Sequence, residues 1–404
     1  MTRTVVNETA ATGLSNTQNE AEANRLRILI VAPSFDILGG QAVQASRLLE
    51  RLQNEPSLEV GFLPINPRLP GSLRKLQSIK YVRTFVTSIA YCVSLLAKVR
   101  HYDVIHVFSA SYLSFLLAPT PAILVAKLFN KKILLNYHSG EAEDHLRRWR
   151  RSAIPTIRLV DQVAVPSEYL VKVMAAFDLR ATPIYNLIET DHFRFRARKP
   201  LRPVFLSNRN FESHYGVDRV LRAFALIQQR VPDAKLIVAG DGPERSALET
   251  LAVELGLRNA EFTGRIAHQK VIDLYNNADI FLNGSEIDNQ PLSLLEAFAC
   301  GLPVVTTNPG GIGDMVINNK TGLLVNCGDY RGLASAAIHL LEDDELAQRL
   351  IALAREECRK YSWEAVRERW LKLYRELEIG LISRHGSATE NQRVPADQKI
   401  AERT

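Results

Sequence analysis

Residues 27–52 read RILIVAPSFDILGGQAVQASRLLERL, and this stretch decides the fold. An apolar run that ends at Pro33 predicts a short buried strand, and a loop with Gly39 and Gly40 follows it. From Val43 to Leu52 the apolar residues recur at helical spacing. Strand, glycine turn and helix, in this order, are the repeating unit of α/β proteins with parallel sheets.

The same alternation of apolar runs and helical patterns continues along the chain. Further strands are predicted in the first half at 104–108, 132–136 and 163–166, and in the second half at 203–207, 235–239, 260–263, 280–282 and 303–306. We therefore predict an α/β fold with two Rossmann-like domains, each built on a doubly wound parallel sheet. Two such domains bind ligands in the cleft between them, at the carboxyl ends of the strands.

The domain boundaries follow from changes in this pattern. Residues 1–24 and 381–404 are predicted to be disordered tails, and the first of them has no apolar core of a signal peptide. The predicted domains are 25–190 and 203–361, joined by a linker at 191–202 that is rich in basic residues. Residues 362–380 have helical spacing and are predicted to pack back on the first domain as a helix.

Composition and charge exclude several classes of protein. With 46% hydrophobic and 23% charged residues among 404, the chain is neither disordered nor fibrous. Its four cysteines form no CxxC pair, which argues against a disulfide framework or a zinc ribbon and for a reducing compartment.

The formal net charge is +6, but residues 25–199 carry +12 and residues 200–384 carry −4. The basic first half predicts contact with an anionic surface or substrate.

Two uncharged apolar stretches lie in the first domain, Thr84 to Ala97 and Ser111 to Ala126. Both are shorter than the about 18–20 residues that a membrane-spanning helix needs. They are either buried helices of a large α/β core or, for Leu73 to Val99, a monotopic helix that faces a membrane. The basic cluster at 147–151 suits an anionic membrane or a lipid-linked phosphate, with a solvated basic face as the alternative.

The densest chemical signal is SEIDNQPLSLLEAFACGLPVV, residues 285–305. Pro291 marks the start of a helix in this stretch. The N-terminus of a helix offers free backbone N–H groups, here those of Leu292 and Ser293, and these suit a diphosphate.

Two acids in the same stretch, Asp288 and Glu296, have seven residues between them. An acid in the loop can hold sugar hydroxyl groups, and an acid one turn into the helix can hold ribose hydroxyl groups. The alternative is an acidic helix cap and a surface glutamate. The spacing resembles the acid-x7-acid motif of the family-four retaining glycosyltransferases, which have the GT-B fold. The family usually has Glu followed by Gly-Phe-Gly, where this chain has Asp288 followed by Asn-Gln-Pro.

The resemblance extends from about Arg27 to about Leu377 and implies further site residues. Gly39 and Gly40 match the family's glycine loop, whose backbone approaches the donor phosphate or the acceptor; an ordinary strand–helix turn is the alternative. His138 matches a strand-end histidine near the reacting sugar, with a hydrogen-bonded core histidine as the alternative. No HxH or HExxH spacing surrounds His138, so a metal ligand is not expected there.

In the second domain, Arg209 matches the strand-end arginine that contacts the donor diphosphate, and a guanidinium fork suits that anion. The family adds a lysine just before a glycine further on, where this chain has Tyr215. Half of the usual positive clamp is therefore missing. Ile266 matches a turn whose backbone meets the nucleotide base.

The resemblance implies a retaining glycosyltransferase that moves a sugar from a nucleotide-diphosphate sugar to a glycan or lipid-linked acceptor. The pathway would be polysaccharide, glycolipid or cell-envelope biosynthesis. No metal or other cofactor is expected, because Arg209 and the helix N-terminus can take the phosphate charge. The catalytic residues implied are His138 and Asp288.

Several alternatives stay open at the level of the sequence. A nucleotide-sugar epimerase could use the same fold without an acceptor, and an inert GT-B scaffold would fit the departures at Tyr215 and Asp288. Nucleic acid is not expected as a partner, because the basic residues do not interleave with aromatic ones on a known module. The expected location is the cytoplasm, with peripheral attachment to the inner face of the cell membrane as an open addition.

Overall fold

The computed structural model describes residues 25–36, 39–79, 81–109 and 111–390, of which residues 72, 73, 268, 269 and 382–390 are described by their backbone alone. The predicted tail at 1–24 lies outside the described residues, as does the end of the second tail, 391–404.

The first domain contains a six-stranded parallel sheet in the order β2-β1-β3-β4-β5-β6. Its strands are β1 (Leu26–Ala32), β2 (Leu58–Pro64), β3 (Val104–Ser109), β4 (Lys132–Tyr137), β5 (Gln162–Val165) and β6 (Thr182–Pro183). The helices between them are α1 (Gly40–Gln53), α2 (Val82–Lys98), α3 (Tyr112–Leu117), α4 (Pro119–Leu128), α5 (Ala142–Arg148), α6 (Arg150–Ile157) and α7 (Glu168–Ala175). Short 3-10 turns lie at Gly71–Ser78 and Val99–His101.

The second domain repeats this architecture with a sheet in the order β12-β11-β10-β7-β8-β9. Its strands are β7 (Val204–Asn208), β8 (Lys235–Ala239), β9 (Ala260–Gly264), β10 (Ile280–Asn283), β11 (Val304–Thr307) and β12 (Leu323–Val325). Its helices are α8 (Val217–Arg230), α9 (Arg245–Glu254), α10 (His268–Asn277), α11 (Leu292–Cys300), α12 (Tyr330–Glu342) and α13 (Asp344–Cys358), with 3-10 turns at Ser213–Tyr215, Ile312–Asp314 and Arg359–Tyr361. The predicted fold class, two doubly wound parallel sheets, is confirmed.

Strands that are covered by helices on both faces account for the apolar runs in the sequence. Every residue of β3, β4, β10 and β11 is buried. A strand buried on both faces reads as a continuous apolar run, which is why these strands could be predicted. The sequence pattern did not identify β2, a half-exposed edge strand, nor the short strand β6.

The last helix, α14 (Trp363–Glu390), follows the second domain but packs on the first. Its apolar side chains join the core on one face of the first sheet, where they meet β1, β3 and β4: Trp363, Val366, Trp370, Leu373, Tyr374 and Leu377. The helix continues beyond the predicted end at 380, since no proline interrupts this stretch before Pro395.

A second feature of the first domain is an apolar surface on α2. The helix contributes Tyr91 and Leu95 to the core, but Phe85 and Val93 on its other side are 70% and 61% exposed. Together with the turn that follows, the helical stretch Val82–His101 has 20 residues and contains an 18-residue window with a mean hydropathy of 1.4. By length and composition alone this helical stretch could cross a membrane, because it extends beyond the uncharged segment 84–97 that was predicted to be too short. Of the two alternatives that the sequence leaves open, a buried core helix does not fit the exposed outer face.

Candidate active site

One cavity of about 580 Å³ lies between the carboxyl ends of the two sheets. The residues predicted from sequence all line it: Gly39, Gly40 and His138 from the first domain, and Arg209, Ile266, Asp288, Leu292, Ser293 and Glu296 from the second. Parallel strands bring their carboxyl ends to one edge of a sheet, so residues far apart in sequence meet there. The position of these residues agrees with the prediction, while their roles stay predictions.

His138 directly follows β4 and is half-buried at the wall of the cavity. Its ring stacks on Phe108 with 5.3 Å between the ring centroids. Its Nε2 atom has no hydrogen-bond partner among the described residues. Burial lowers the pKa of His138 to about 4, so the imidazole is neutral at physiological pH. A neutral ring with an unpartnered nitrogen at a cavity wall can exchange a hydrogen bond with a ligand.

Arg209 lies just beyond the end of β7, and its guanidinium already has protein partners. It forms an ion pair with the Asp288 carboxylate, and its Nη1 donates to the Ser293 hydroxyl oxygen over 3.2 Å. The side chain is only 9% exposed. The arginine and the acid predicted to act at opposite ends of the donor are therefore bonded to each other in the ligand-free cleft.

Tyr215 occupies the place where the resembling family has a lysine. The Cζ atom of Arg209 lies 4.1 Å from the centroid of the Tyr215 ring, a cation–π contact. Burial raises the pKa of the Tyr215 hydroxyl, which therefore stays neutral. Gly216, which follows, has φ of 59°, and a Cβ atom there would lie 1.9 Å from the Gly284 carbonyl oxygen. Only glycine fits this turn, and the turn places the tyrosine ring on the arginine.

The N-terminus of α11 points its first-turn amides toward the same cavity. Pro291 immediately precedes the helix, and Leu292 and Ser293 are its first two residues. The first amides of a helix have no intrahelical acceptor, so both are available to a ligand. The loop before the helix touches the first domain, since a Cβ atom on Gly140 would lie 3.2 Å from the Asp288 Cα atom.

Glu296 lies on α11 and is 6% exposed. Its Oε1 atom accepts a hydrogen bond from Arg47 Nη2 over 3.1 Å, and its Oε2 atom accepts one from the Tyr275 hydroxyl over 2.9 Å. Burial, and the nearby Glu296 carboxylate, raise the pKa of Tyr275 well above its usual value, so the phenol stays a neutral donor. The alternative of a surface glutamate is excluded by this burial.

Comparison with known proteins finds a family match in the second domain. Residues 189–357, which include the Arg209, Asp288 and Glu296 positions, match the family described as glycosyl transferases group 1. The match covers less than half of the chain and shows that the second domain is similar to these transferases.

Individual proteins that are similar to this chain agree with that match. Sulfoquinovosyl transferase SQD2 of Arabidopsis thaliana is 28% identical over 310 residues, which are 70% of this chain and 59% of the relative's own length. Sucrose-phosphate synthase from Thermosynechococcus elongatus has a TM-score of 0.71 at 22% identity, covering 88% of this chain and all of that one. Anabaena Alr3699/HepE in complex with UDP and glucose has a TM-score of 0.68 at 17% identity, covering 86% of this chain and 99% of that one. The structural likenesses confirm the GT-B fold.

Most of the charged side chains around the cleft are negative. The cavity is lined by the guanidinium groups of Arg209 and Arg265 and by five carboxylates: Glu141, Glu212, Asp241, Asp288 and Glu296. Among the described residues, no three His, Cys, Asp or Glu side chains form a cluster that could hold a metal ion.

Two functional contacts were not predicted from the sequence. Arg47 and Tyr275, which bind Glu296, lie on other elements, and Arg47 even lies in the other domain. One signal could have identified Arg47. It follows Val43 by one helical turn and precedes Leu48, so it falls within the apolar face of α1, where an arginine needs an acidic partner.

Proposed function

We propose that this chain is a retaining glycosyltransferase that uses a nucleotide-diphosphate sugar and acts on a glycan or lipid-linked acceptor. The observation that carries the proposal is the meeting of residues from both domains around one cavity. The first domain contributes a glycine loop and a neutral histidine, and the second contributes an arginine, a helix N-terminus and two acids. In this proposal the first domain forms the acceptor side of the cavity and the second domain forms the donor side.

At the donor end, Arg209 and the amides of Leu292 and Ser293 would hold the diphosphate. These groups stabilise the negative charge that develops on the leaving group. Glu296 would accept hydrogen bonds from the ribose hydroxyl groups, and the Ile266 backbone would contact the base. UDP bound to the similarly folded Anabaena protein supports a nucleotide in this kind of cleft.

At the sugar, Asp288 and His138 would bind hydroxyl groups near the reacting carbon. In the free protein Asp288 is paired with Arg209. A diphosphate that binds Arg209 competes for this contact, and the carboxylate can then turn to the sugar. We propose that the departing phosphate takes the acceptor proton and that the new bond forms on the same face of the sugar, which retains the anomeric configuration. No metal or other cofactor enters this proposal, since protein groups meet both charges of the transition state.

The acceptor would reach the cleft from the first domain, whose residues 25–199 carry the net charge of +12. We propose that α2 faces an anionic membrane, because its exposed apolar side chains lie beside Arg83 and Lys98 at the two ends of the helix. This supports a lipid-linked acceptor and peripheral attachment at the cytoplasmic face.

Donor turnover in the presence of a cell lipid extract, followed by mass spectrometry, tests the activity. We expect a product heavier than its acceptor by one glycosyl residue, and NMR of its anomeric proton reports whether configuration is retained. Calorimetry with UDP, GDP and ADP separates an enzyme from an inert scaffold, since binding of no nucleotide favours the scaffold. Conversion of the free nucleotide sugar into its epimer, with no acceptor added, would instead favour the epimerase.

A further inference from the structure

Arg47 is a buried cation of the first domain that contacts the second domain at the cavity's edge. It lies on α1 and is 3% exposed. Its Nε donates to Glu189 Oε2 over 3.0 Å, its Nη2 to Glu296 Oε1 over 3.1 Å, and its Nη1 to the Leu187 carbonyl oxygen over 3.4 Å. The residue does not itself line the cavity.

The pairing matters because Glu296 is buried. A carboxylate withdrawn from water keeps its charge only if a cation and hydrogen-bond donors compensate for the lost hydration. Tyr275 donates to Glu296 but is neutral, so Arg47 is the positive charge that the structure sets against this acid.

We propose that Arg47 is a positioning residue of the nucleotide site, which holds the Glu296 carboxylate oriented toward the ribose from the opposite domain. The proposal rests on the proposed function, in which Glu296 binds the ribose. It adds that the donor site is complete only while the two domains are docked. Nucleotide affinity and domain docking are then linked, and each strengthens the other by the same factor.

The neighbouring contacts support a docked interface built around this residue. Gln44, one turn earlier on α1, exchanges two hydrogen bonds with the backbone of Leu187, over 2.7 and 3.0 Å. The Asn186 backbone N–H donates to Gln290 Oε1 over 2.6 Å, which joins the end of the first domain to the loop before α11. The Gln44 contacts fix α1 to the end of the first domain, and the Asn186 contact joins that end to the second domain. The backbone that carries Arg47 is therefore held beside α11.

The test is a double-mutant cycle in the full chain, read by calorimetry with whichever of UDP, GDP and ADP binds the wild type most tightly. Arg47→Gln should weaken nucleotide binding about 10-fold, the size of a coupling between groups in direct contact. In a Glu296→Gln background the same change should alter affinity by less than about 2-fold, because the partner is already gone.

Arg51→Gln is the matched control. Arg51 lies one turn further on the same helix and pairs with the exposed linker residue Asp191 over 3.7 Å, so affinity should not change.

A kinetic measurement distinguishes positioning from general structural support. If Arg47 acts through ribose binding alone, Arg47→Gln should raise the donor KM and leave kcat nearly unchanged, since the ribose contact is the same in ground and transition states. Should this variant fail to fold in a melting experiment, Arg47→Lys replaces it. A lysine keeps the charge but cannot bridge three acceptors in the arginine geometry, so a smaller loss that again vanishes with Glu296→Gln is expected.

The remaining outcomes overturn the proposal. Losses that add in the double variant would show that Arg47 acts elsewhere, and an unchanged affinity would show that Glu296 does not depend on it. A wild type that binds none of the three nucleotides would instead contradict the proposed function, so the two failures are distinguishable.

Discussion

At the scale of single residues, Tyr215 bears on the proposed phosphate site through its contact with Arg209. An aromatic ring takes the position of a second cation and stacks on the remaining one, Arg209. A partly desolvated cation–π contact contributes about 1–2 kcal/mol. Tyr215→Leu should therefore weaken binding of the donor nucleotide about 5- to 30-fold, because the guanidinium loses its support. Tyr215→Phe is the control and should bind nearly as wild type, since the ring is kept. A loss in the phenylalanine variant equal to that in the leucine variant would point to the hydroxyl group instead.

Three histidines give a second prediction at this scale. Burial lowers the pKa of His106 to about 3 and the pKa values of His138 and His145 to about 4. The unfolded chain takes up these protons near pH 6.5 and the folded chain does not, so the free energy of unfolding should fall as pH drops from about 6.5 to 4. Each histidine contributes at most about 1.4 kcal/mol per pH unit. Urea unfolding at several pH values measures this slope.

His138→Gln isolates the contribution of the cleft histidine to that slope. The variant should show a shallower fall in the free energy of unfolding below pH 6.5, because its unfolded chain takes up one proton fewer than the unfolded wild type. An identical slope in variant and wild type would contradict the neutral state assigned to His138. The same neutral state predicts that kcat will not titrate with this residue between pH 5.5 and 8.

At the scale of elements, the 3-10 turn Ser213–Tyr215 depends on Gly216. A side chain at this position meets both a positive φ and the Gly284 carbonyl. Gly216→Ala should lower the free energy of unfolding by about 2–3 kcal/mol or more and also weaken nucleotide binding, because the turn carries Tyr215. Gly256→Ala is the matched control, since its φ is 64° and no atom lies within 4 Å of an added Cβ. The control should lose about 1 kcal/mol and keep its nucleotide affinity. Equal effects of both changes on affinity would contradict a role for this turn in the site.

At the scale of the whole molecule, the sequence predicts the features that depend on a local pattern. It does not predict the contacts that depend on how the two domains pack against each other. Strands such as β3 and β4 are buried on both faces and therefore read as apolar runs, and their carboxyl ends predict where the cavity lies. The contact of Arg47 with Glu296 joins residues 249 positions apart in different domains. The position of Arg47 in the apolar face of α1 signals an acidic partner but does not identify Glu296, since the pairing depends on how the two sheets meet. For a related reason the sequence left two interpretations of α2 open, because an apolar helix has the same pattern whether a core or a membrane covers it.

The outer face of α2 leads to the last prediction, which concerns how the whole molecule meets its acceptor. Phe85, Ile89 and Val93 are exposed along one side of a helix whose other side is fixed in the core. If this face enters an anionic bilayer, Phe85→Glu with Val93→Glu should reduce flotation with phosphatidylglycerol vesicles by about tenfold or more, because each buried apolar group is lost and a negative charge is added. Val253 on α9, which is 81% exposed in the second domain, supplies the control. Val253→Glu should float as wild type does, and nucleotide affinity should be unchanged in both variants. Wild-type protein that stays unbound to these vesicles at low salt would contradict the proposal that α2 faces an anionic membrane.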